Sequence, residues 1–361
     1  MNKVVFVINQ LNRGGAAKMI KYVSNLAVGV FNQVYIVDLF DETYKGDDVD
    51  SKIHIIGLGF GKKNRLKRRL FLIPKLHFCI KHLKPDYVIA FIGHVNFMSR
   101  LATLSMKNIV FISAERGDPY CESDLWKKRL EWTYSKSDYN YFQLDKARDF
   151  FSSRVRQKSF VIPNPVILNG KVEPFEGERE KIIVGLGRFS PEKCFDDLIN
   201  AFAIVHETYP DYRLVLYGDG ALRDSYKAII DNLGLQDYVY MPGYIKDVPN
   251  TLKNKGVFVL SSLYEGIPNA LIEAMSVGLP CVSTDCTPGG PAFLFNNEER
   301  GILVPVHDVN AMANAIIKLI EDKSLSKVIS KNAAKIKDEF TEEKISKLWT
   351  DSFRYIMDNR K

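Results

Sequence analysis

Cysteine is scarce and unpatterned in this chain of 361 residues. Cys79, Cys121, Cys194, Cys281 and Cys286 form no Cys-x-x-Cys pair and stand at no metal-ligand spacing from a histidine. That excludes a disulfide scaffold and fits reduced, mostly structural thiols in a cytoplasmic protein. No apolar run reaches the roughly 18 residues that a membrane-spanning helix needs. The opening MNKVVFVINQLNRGG carries one early lysine and an apolar run too short for a signal peptide, so Val4 to Ile8 reads as a buried first strand. Short-period repeats and low-complexity tracts are also missing. Apolar residues at 46% and charged residues at 26% describe an ordinary globular chain and argue against long disorder. The length exceeds what a single core usually organises, so two domains are expected.

Charge is divided unevenly. Residues 1–165 carry 27 Lys/Arg against 15 Asp/Glu, a balance of +12, and residues 166–361 carry 23 against 28, a balance of −5. Halves of opposite sign suggest two modules, the basic one meeting an anionic membrane, nucleic acid or phosphorylated substrate.

Strand-length apolar runs recur through the first half: 4–9, 34–40, 53–58, 87–92, 108–113 and 139–144. The second half repeats them at 181–187, 212–218, 238–244, 256–262 and 279–284. They are nearly continuous rather than alternating, as for strands covered on both faces, and helix-length segments such as 194–209 lie between them. The pattern predicts an α/β protein with two doubly wound parallel sheets. The joint is expected in 161–180, which holds three prolines, two glycines and a charge run. In such sheets ligands sit beyond the carboxyl ends of the strands, so a cleft between the domains is the expected site.

Three segments could carry chemistry. NRGGAAKMI (12–20) follows the first strand, and its glycines allow close backbone approach to an anion. Asp38 closes the second strand where a dinucleotide site would place its ribose-binding acid, although the turn is not G-x-G-x-x-G. VGLGRFSPEKCFDDLI (184–199) sets Arg188, a planar fork, and Lys193, a mobile point charge, after a strand end, which suits a diphosphate. SSLYEGIPNALIEAMSVGLPCVST (261–284) puts Glu265 in a Gly/Pro loop, a helix start near the capping residue Asn269, and Glu273 one turn inside. A carboxylate pair beside an anion-binding helix start suits a nucleotide sugar. The Asp48-Val49-Asp50 triplet resembles a metal motif but stands far from the other segments and reads as a solvated turn, so no metal is expected.

The last segment, with GRFSPEK, YGDG (217–220), VIPNP (161–165), MPGY (241–244) and GGAAKMI, resembles the signature of the retaining family 4 glycosyltransferases of GT-B fold. SAERGDPY (113–120) further resembles enzymes of bacterial capsule, O-antigen or lipid-linked oligosaccharide synthesis. The resemblance implies an N-terminal acceptor domain, residues 1–163 with a helix at about 344–361 crossing back, and a nucleotide-sugar domain, 164–343. It implies Arg188 and Lys193 on the donor diphosphate, Glu265 on the transferred sugar and Glu273 on the ribose. Gly266, Ile267, Pro268, Asn269, Ala270 and Leu271 would line the phosphates, Gly15 would approach them, and Gly243 would lie beside the base. The acceptor side would involve His94, Asn96, Glu115 and Arg116, the last standing where many relatives have histidine. The family's later acidic residue is replaced by Ala292 and Phe293.

The implied activity is a metal-independent hexosyl transfer from a UDP-sugar, with a GDP-sugar as second choice, to a lipid-linked or oligosaccharide acceptor, without cofactor or nucleic acid. The basic stretch 61–85 has nine Lys/Arg and no acid, interleaved with Leu66, Leu70, Ile73, Leu76, Phe78 and Ile80. Contact with the anionic inner face of the cell membrane is expected there. The rival readings are an NAD-type oxidoreductase, a sugar-nucleotide epimerase of the same fold, and a silent membrane- or partner-binding module.

Overall fold

The computed structural model describes residues 2–12, 14–41, 44, 46, 48–60, 65–167 and 173–360, with the side chains of 65–70 outside that description. The chain divides into two compact units, Met1–Asn164 with Glu343–Lys361, and Pro165–Glu342.

The first unit is a seven-stranded sheet of β1 (Lys3–Ile8), β2 (Gln33–Asp38), β3 (Ile53–Gly57), β4 (Tyr87–Phe91), β5 (Val110–Ala114), β6 (Tyr139–Phe142) and β7 (Ser159–Val161). Its order is β3-β2-β1-β4-β5-β6-β7, with every pairing parallel. The second is a six-stranded parallel sheet of β8 (Ile182–Leu186), β9 (Arg213–Tyr217), β10 (Val239–Gly243), β11 (Val257–Leu260), β12 (Cys281–Thr284) and β13 (Ile302–Val304). Its order is β10-β9-β8-β11-β12-β13. These are two Rossmann-like sheets, as the continuous apolar runs require: β4 and β11 are buried along their whole length because helices cover both faces.

The helices follow from their apolar stripes. In Phe195–Thr208, Phe195, Leu198, Ile199, Phe202 and Val205 recur at helical spacing and are buried in the core of the second unit. Asp196 and Asp197 occupy its first turn, where the helix dipole favours negative charge. In Arg65–Leu83, Leu72, Leu76 and Ile80 face the core of the first unit. The helix Glu342–Asp358 returns to the first unit. Trp349, fully buried, lies 4.5 Å from Tyr141 by ring centroid, and the Tyr141 and Ser352 hydroxyls are 2.8 Å apart.

Candidate active site

Each sheet has one point where strand order reverses, β1/β4 in the first unit and β8/β11 in the second. Crossover helices leave such a point on opposite faces and open a crevice beyond the strand ends.

In the second unit the loops after β8 and β11 meet there. The β8 loop is fixed by its neighbours. The amide of Gly187 donates to Tyr217 O (3.0 Å) and that of Phe189 to Asp219 O (3.0 Å), while the Phe189 ring is buried against Phe195 and Tyr226. This explains the YGDG string. A Cβ on Gly218 would fall 1.8 Å from Gly187 O, and one on Gly220 would fall 2.3 Å from Phe189 O. Arg188 is exposed at the tip, and its guanidinium has no partner among the described residues. A 3-10 turn, Pro191–Lys193, then delivers Lys193.

Lys193 Nζ forms an ion pair with Glu265, the two side chains being 20% and 15% exposed. The Ser262 hydroxyl donates to the same carboxylate (2.9 Å), the Ser261 hydroxyl donates to Lys193 O (2.7 Å), and the Leu263 amide donates to Glu192 O (2.9 Å). The two loops are thus one hydrogen-bonded body. Glu265 is held from behind by its own amide, which donates to Thr287 O (2.9 Å). Gly290 packs so closely that a Cβ there would lie 1.5 Å from Gly266 O. At the positions expected to be acidic, Ala292 is half-buried and Phe293 is exposed, its ring 5.7 Å from that of Phe340.

The helix that follows is Asn269–Ser276, and its N-cap is Pro268 rather than Asn269. Asn269 is the first helical residue, because the preceding proline has its φ already fixed and adopts extended geometry. Across the expected phosphate-lining segment, Pro268 has no N–H to give. Its carbonyl takes the amides of Leu271 and Ile272 (both 3.1 Å). The Ala270 amide has no acceptor among the described residues. Gly266 is half-buried and Ile267 buried, while Glu273 is half-buried one turn into the helix. Gly243 ends β10 with φ +96°, and its carbonyl accepts from Gly218 N (2.9 Å).

In the first unit the β1/β4 point brings Gly14–Gly15 and His94 to adjacent strand ends. Gly14 caps the helix Gly15–Ala27 with φ 97°, and Ile92 caps Gly93–Thr103 with φ 79°. A β-branched residue in that region is strained backbone. His94 is exposed and stands edge-on to Trp126, centroids 4.0 Å apart. The sequence offered no sign of this partner.

The other acceptor-side candidates are less exposed than His94. Asn96 is fully buried. Its Nδ2 donates to Ala114 O (3.1 Å) and to the Tyr134 hydroxyl (3.3 Å), and its Oδ1 accepts from Ala114 N (3.4 Å). Glu115 is 5% exposed, and its carboxylate takes the amides of Arg116 (2.8 Å) and Gly117 (2.7 Å) and the Tyr134 hydroxyl. Burial raises the Glu115 carboxyl above its ordinary range, against the lowering by these hydrogen bonds. The Arg116 guanidinium stacks over Phe91 and Trp349 and donates to Asn164 Oδ1 (3.3 Å), with its Nε and Nη2 buried. Burial pushes it down to about 10, with Glu115 pulling the other way. Asn96 and Glu115 brace the first unit from inside, beside Tyr134, while Arg116 is half-buried against Trp349.

Asp38 also differs from a ribose-binding acid. It is 2% exposed, and its carboxylate accepts the amides of Leu11 (2.8 Å), Phe40 (3.0 Å) and Asp41 (3.0 Å). It therefore ties the β1 and β2 loops together. Asp48 is not simply solvated, since it pairs with Lys21 and Tyr44. In the basic stretch, residues 61–64 and the side chains of 65–70, Leu66 and Leu70 included, lie outside the described residues. Of the interleaved apolar residues, Leu76 and Ile80 are core residues, whereas Phe78, and with it Phe71, is exposed, at 68% and 57%. Among the described residues no helix is long and apolar enough to cross a membrane.

This pair of sheets is the GT-B fold. The chain superimposes on sucrose-phosphate synthase from Thermosynechococcus elongatus with a TM-score of 0.85 at 18% identity, over 99% of this chain and 100% of that one. Residues 170–336, which hold the Lys193–Glu265 site, match the family Glycosyl transferases group 1, so this segment is a glycosyltransferase domain of that group. An uncharacterized glycosyltransferase of Methanocaldococcus jannaschii is 28% identical, covering 79% of this chain and 82% of that one. The UDP-Gal:alpha-D-GlcNAc-diphosphoundecaprenol alpha-1,3-galactosyltransferase of Escherichia coli is 34% identical over 190 residues, 48% of each chain.

Proposed function

We propose that this protein is a retaining, metal-independent hexosyltransferase. It moves a sugar from a UDP-sugar, or as second choice a GDP-sugar, to a lipid-linked or oligosaccharide acceptor in bacterial surface polysaccharide synthesis. The observation that carries the reading is the Lys193–Glu265 ion pair at the β8/β11 reversal, one residue before the glycine that opens the Asn269–Ser276 helix approach. The Escherichia coli relative, named for a UDP-galactose donor and a diphosphoundecaprenol acceptor, supports the donor and acceptor classes.

In this reading Lys193, Arg188 and the free amide of Ala270 stabilise charge developing on the departing diphosphate, as preorganised donors do. They take the part a divalent ion plays elsewhere. Glu265 accepts hydroxyl hydrogen bonds from the transferred sugar, Glu273 accepts those of the ribose, Gly243 lies beside the base, and Gly15 approaches the phosphates. The acceptor hydroxyl attacks on the face the diphosphate leaves, and the leaving phosphate oxygen takes its proton. His94 is the exposed acceptor-side candidate. The occupied carboxylate of Asp38 speaks against the oxidoreductase alternative.

Calorimetry with UDP, GDP and NAD tests this reading. Uptake of UDP or GDP, none of NAD, and turnover of a UDP-sugar that survives EDTA and retains the anomeric configuration by NMR are expected. Uptake of neither diphosphate would end the proposal, and isomerised donor without acceptor would point to the epimerase.

We further propose that the helix Arg65–Leu83 rests on an anionic membrane at the cytoplasmic face of the cell. Phe71 and Phe78 lie seven residues apart on its outer side, with Lys81 exposed beside them. Each cation near such a surface adds about 1 kcal/mol. Cosedimentation with phosphatidylglycerol vesicles is expected, falling with salt and at least about tenfold weaker in Phe71→Ser/Phe78→Ser. Equal binding by the double variant would refute the contact.

A further inference from the structure

Cys194 directly follows Lys193, yet its thiol belongs to a different cluster. It sits between the Pro191–Lys193 turn and the helix Phe195–Thr208, where Asp197 occupies the first turn. His307 arrives from the loop after β13, and one of its ring nitrogens, Nδ1, lies 2.8 Å from Asp197 Oδ2. One sulfur, one carboxylate oxygen and one imidazole nitrogen all lie within 4.8 Å of one another. We propose that Cys194, Asp197 and His307 form a binding site for a borderline-soft divalent transition cation, with Zn2+ as the natural occupant.

The donor set decides the class of ion. Thiolate and imidazole select zinc-like cations, whereas magnesium and calcium require oxygen ligands throughout. Tetrahedral zinc holds nitrogen and oxygen ligands about 2.0–2.2 Å from the metal and sulfur about 2.3 Å away, so its ligand atoms stand about 3.3–3.6 Å apart. To match, the cluster opens the His307–Asp197 contact by about half an ångström, and the sulfur moves in and gives up the hydrogen bond (3.3 Å) that its thiol donates to Pro191 O. Thiolate and carboxylate neutralise the two positive charges, the thiol proton leaving to solvent as the sulfur–metal bond forms. Cys194 is 4% exposed and the Asp197 side chain 14%, which gives one buried and one half-buried ligand, while the His307 side chain at 58% leaves an entry path and a fourth position for water. The bound ion would tie the turn that carries Lys193 to the 305–308 loop. The inference is independent of the transferase reading, since it concerns residues outside the donor assignments.

The test uses the untagged full-length chain, reduced with a phosphine. In competition with a chromophoric chelator, a single Zn2+ is expected to bind with Kd of about a micromolar or tighter. Co2+ in its place should give a thiolate-to-metal charge-transfer band. His307→Ala should weaken Zn2+ binding about tenfold or more. Cys194→Ser should remove the band, and Cys121→Ser, at an exposed thiol, should change neither. Absence of the band, unaltered affinity in His307→Ala, or a band lost only in Cys121→Ser would each overturn the site. If Cys194→Ser fails to fold, the exposed His307 variant and the wild-type band decide the matter.

Discussion

Lys193→Ala is expected to lower turnover by about 100-fold, which is about 2.7 kcal/mol of barrier. The ammonium has two tasks. In the resting site it neutralises Glu265, whose remaining side-chain partner among the described residues is the Ser262 hydroxyl at 2.9 Å. During transfer it opposes negative charge accumulating on the departing diphosphate, and only that second task lowers the barrier. Water is already partly excluded at side-chain exposures of 15–20%, so the charge acts in a medium less screening than bulk. Lys193→Arg is expected to recover only part of the loss, because a planar fork does not occupy the place of a point charge beside Glu265. Steady-state kinetics together with a melting curve check this. A folded Lys193→Ala protein with wild-type turnover would remove the diphosphate assignment.

Trp349→Ala is expected to destabilise the first unit by about 3–5 kcal/mol. The indole is fully buried, 4.5 Å from Tyr141 and 5.9 Å from Phe353 by centroid, with the Arg116 guanidinium 5.3 Å from its ring. Its removal leaves a cavity beside a guanidinium that keeps Phe91 and Asn164 as partners. Trp349→Phe should cost clearly less, because the indole N–H has no hydrogen-bond partner among the described residues and only ring volume is lost. Denaturant unfolding followed by circular dichroism measures both. Equal stability of Trp349→Ala and the wild type would show that the C-terminal helix does not anchor the unit.

The parts of the fold most legible in the sequence were those with length. Runs such as 34–40 and 256–262 could only be strands buried on both faces, and they became β2 and β11. Two strands escaped notice, β7 (Ser159–Val161) and β13 (Ile302–Val304). Each has three residues at a sheet edge, too few to form a pattern without their neighbours. Lys193 and Glu265 were named from their motifs, but the bond between them spans 72 positions and depends on β8 and β11 being adjacent. Ser261 and Ser262 stood in the quoted string without a role, since nothing local shows which way a hydroxyl turns. The burial of Asn96 and Glu115 was equally hidden. A polar side chain after a strand end looks the same in sequence whether it faces solvent or a buried tyrosine such as Tyr134. Spacing rules were blind to Cys194 and His307 for the same reason that they missed the ion pair: parallel crossovers join residues that lie far apart along the chain.

The return of the helix Glu342–Asp358 has a consequence for biosynthesis. On the ribosome, Tyr141 emerges long before Trp349, and the whole stretch Pro165–Glu342 is translated in between. The later half is contiguous and can complete its sheet as it is made, while the earlier half waits for its last helix. A nascent chain therefore finishes the part that begins second before the part that begins first.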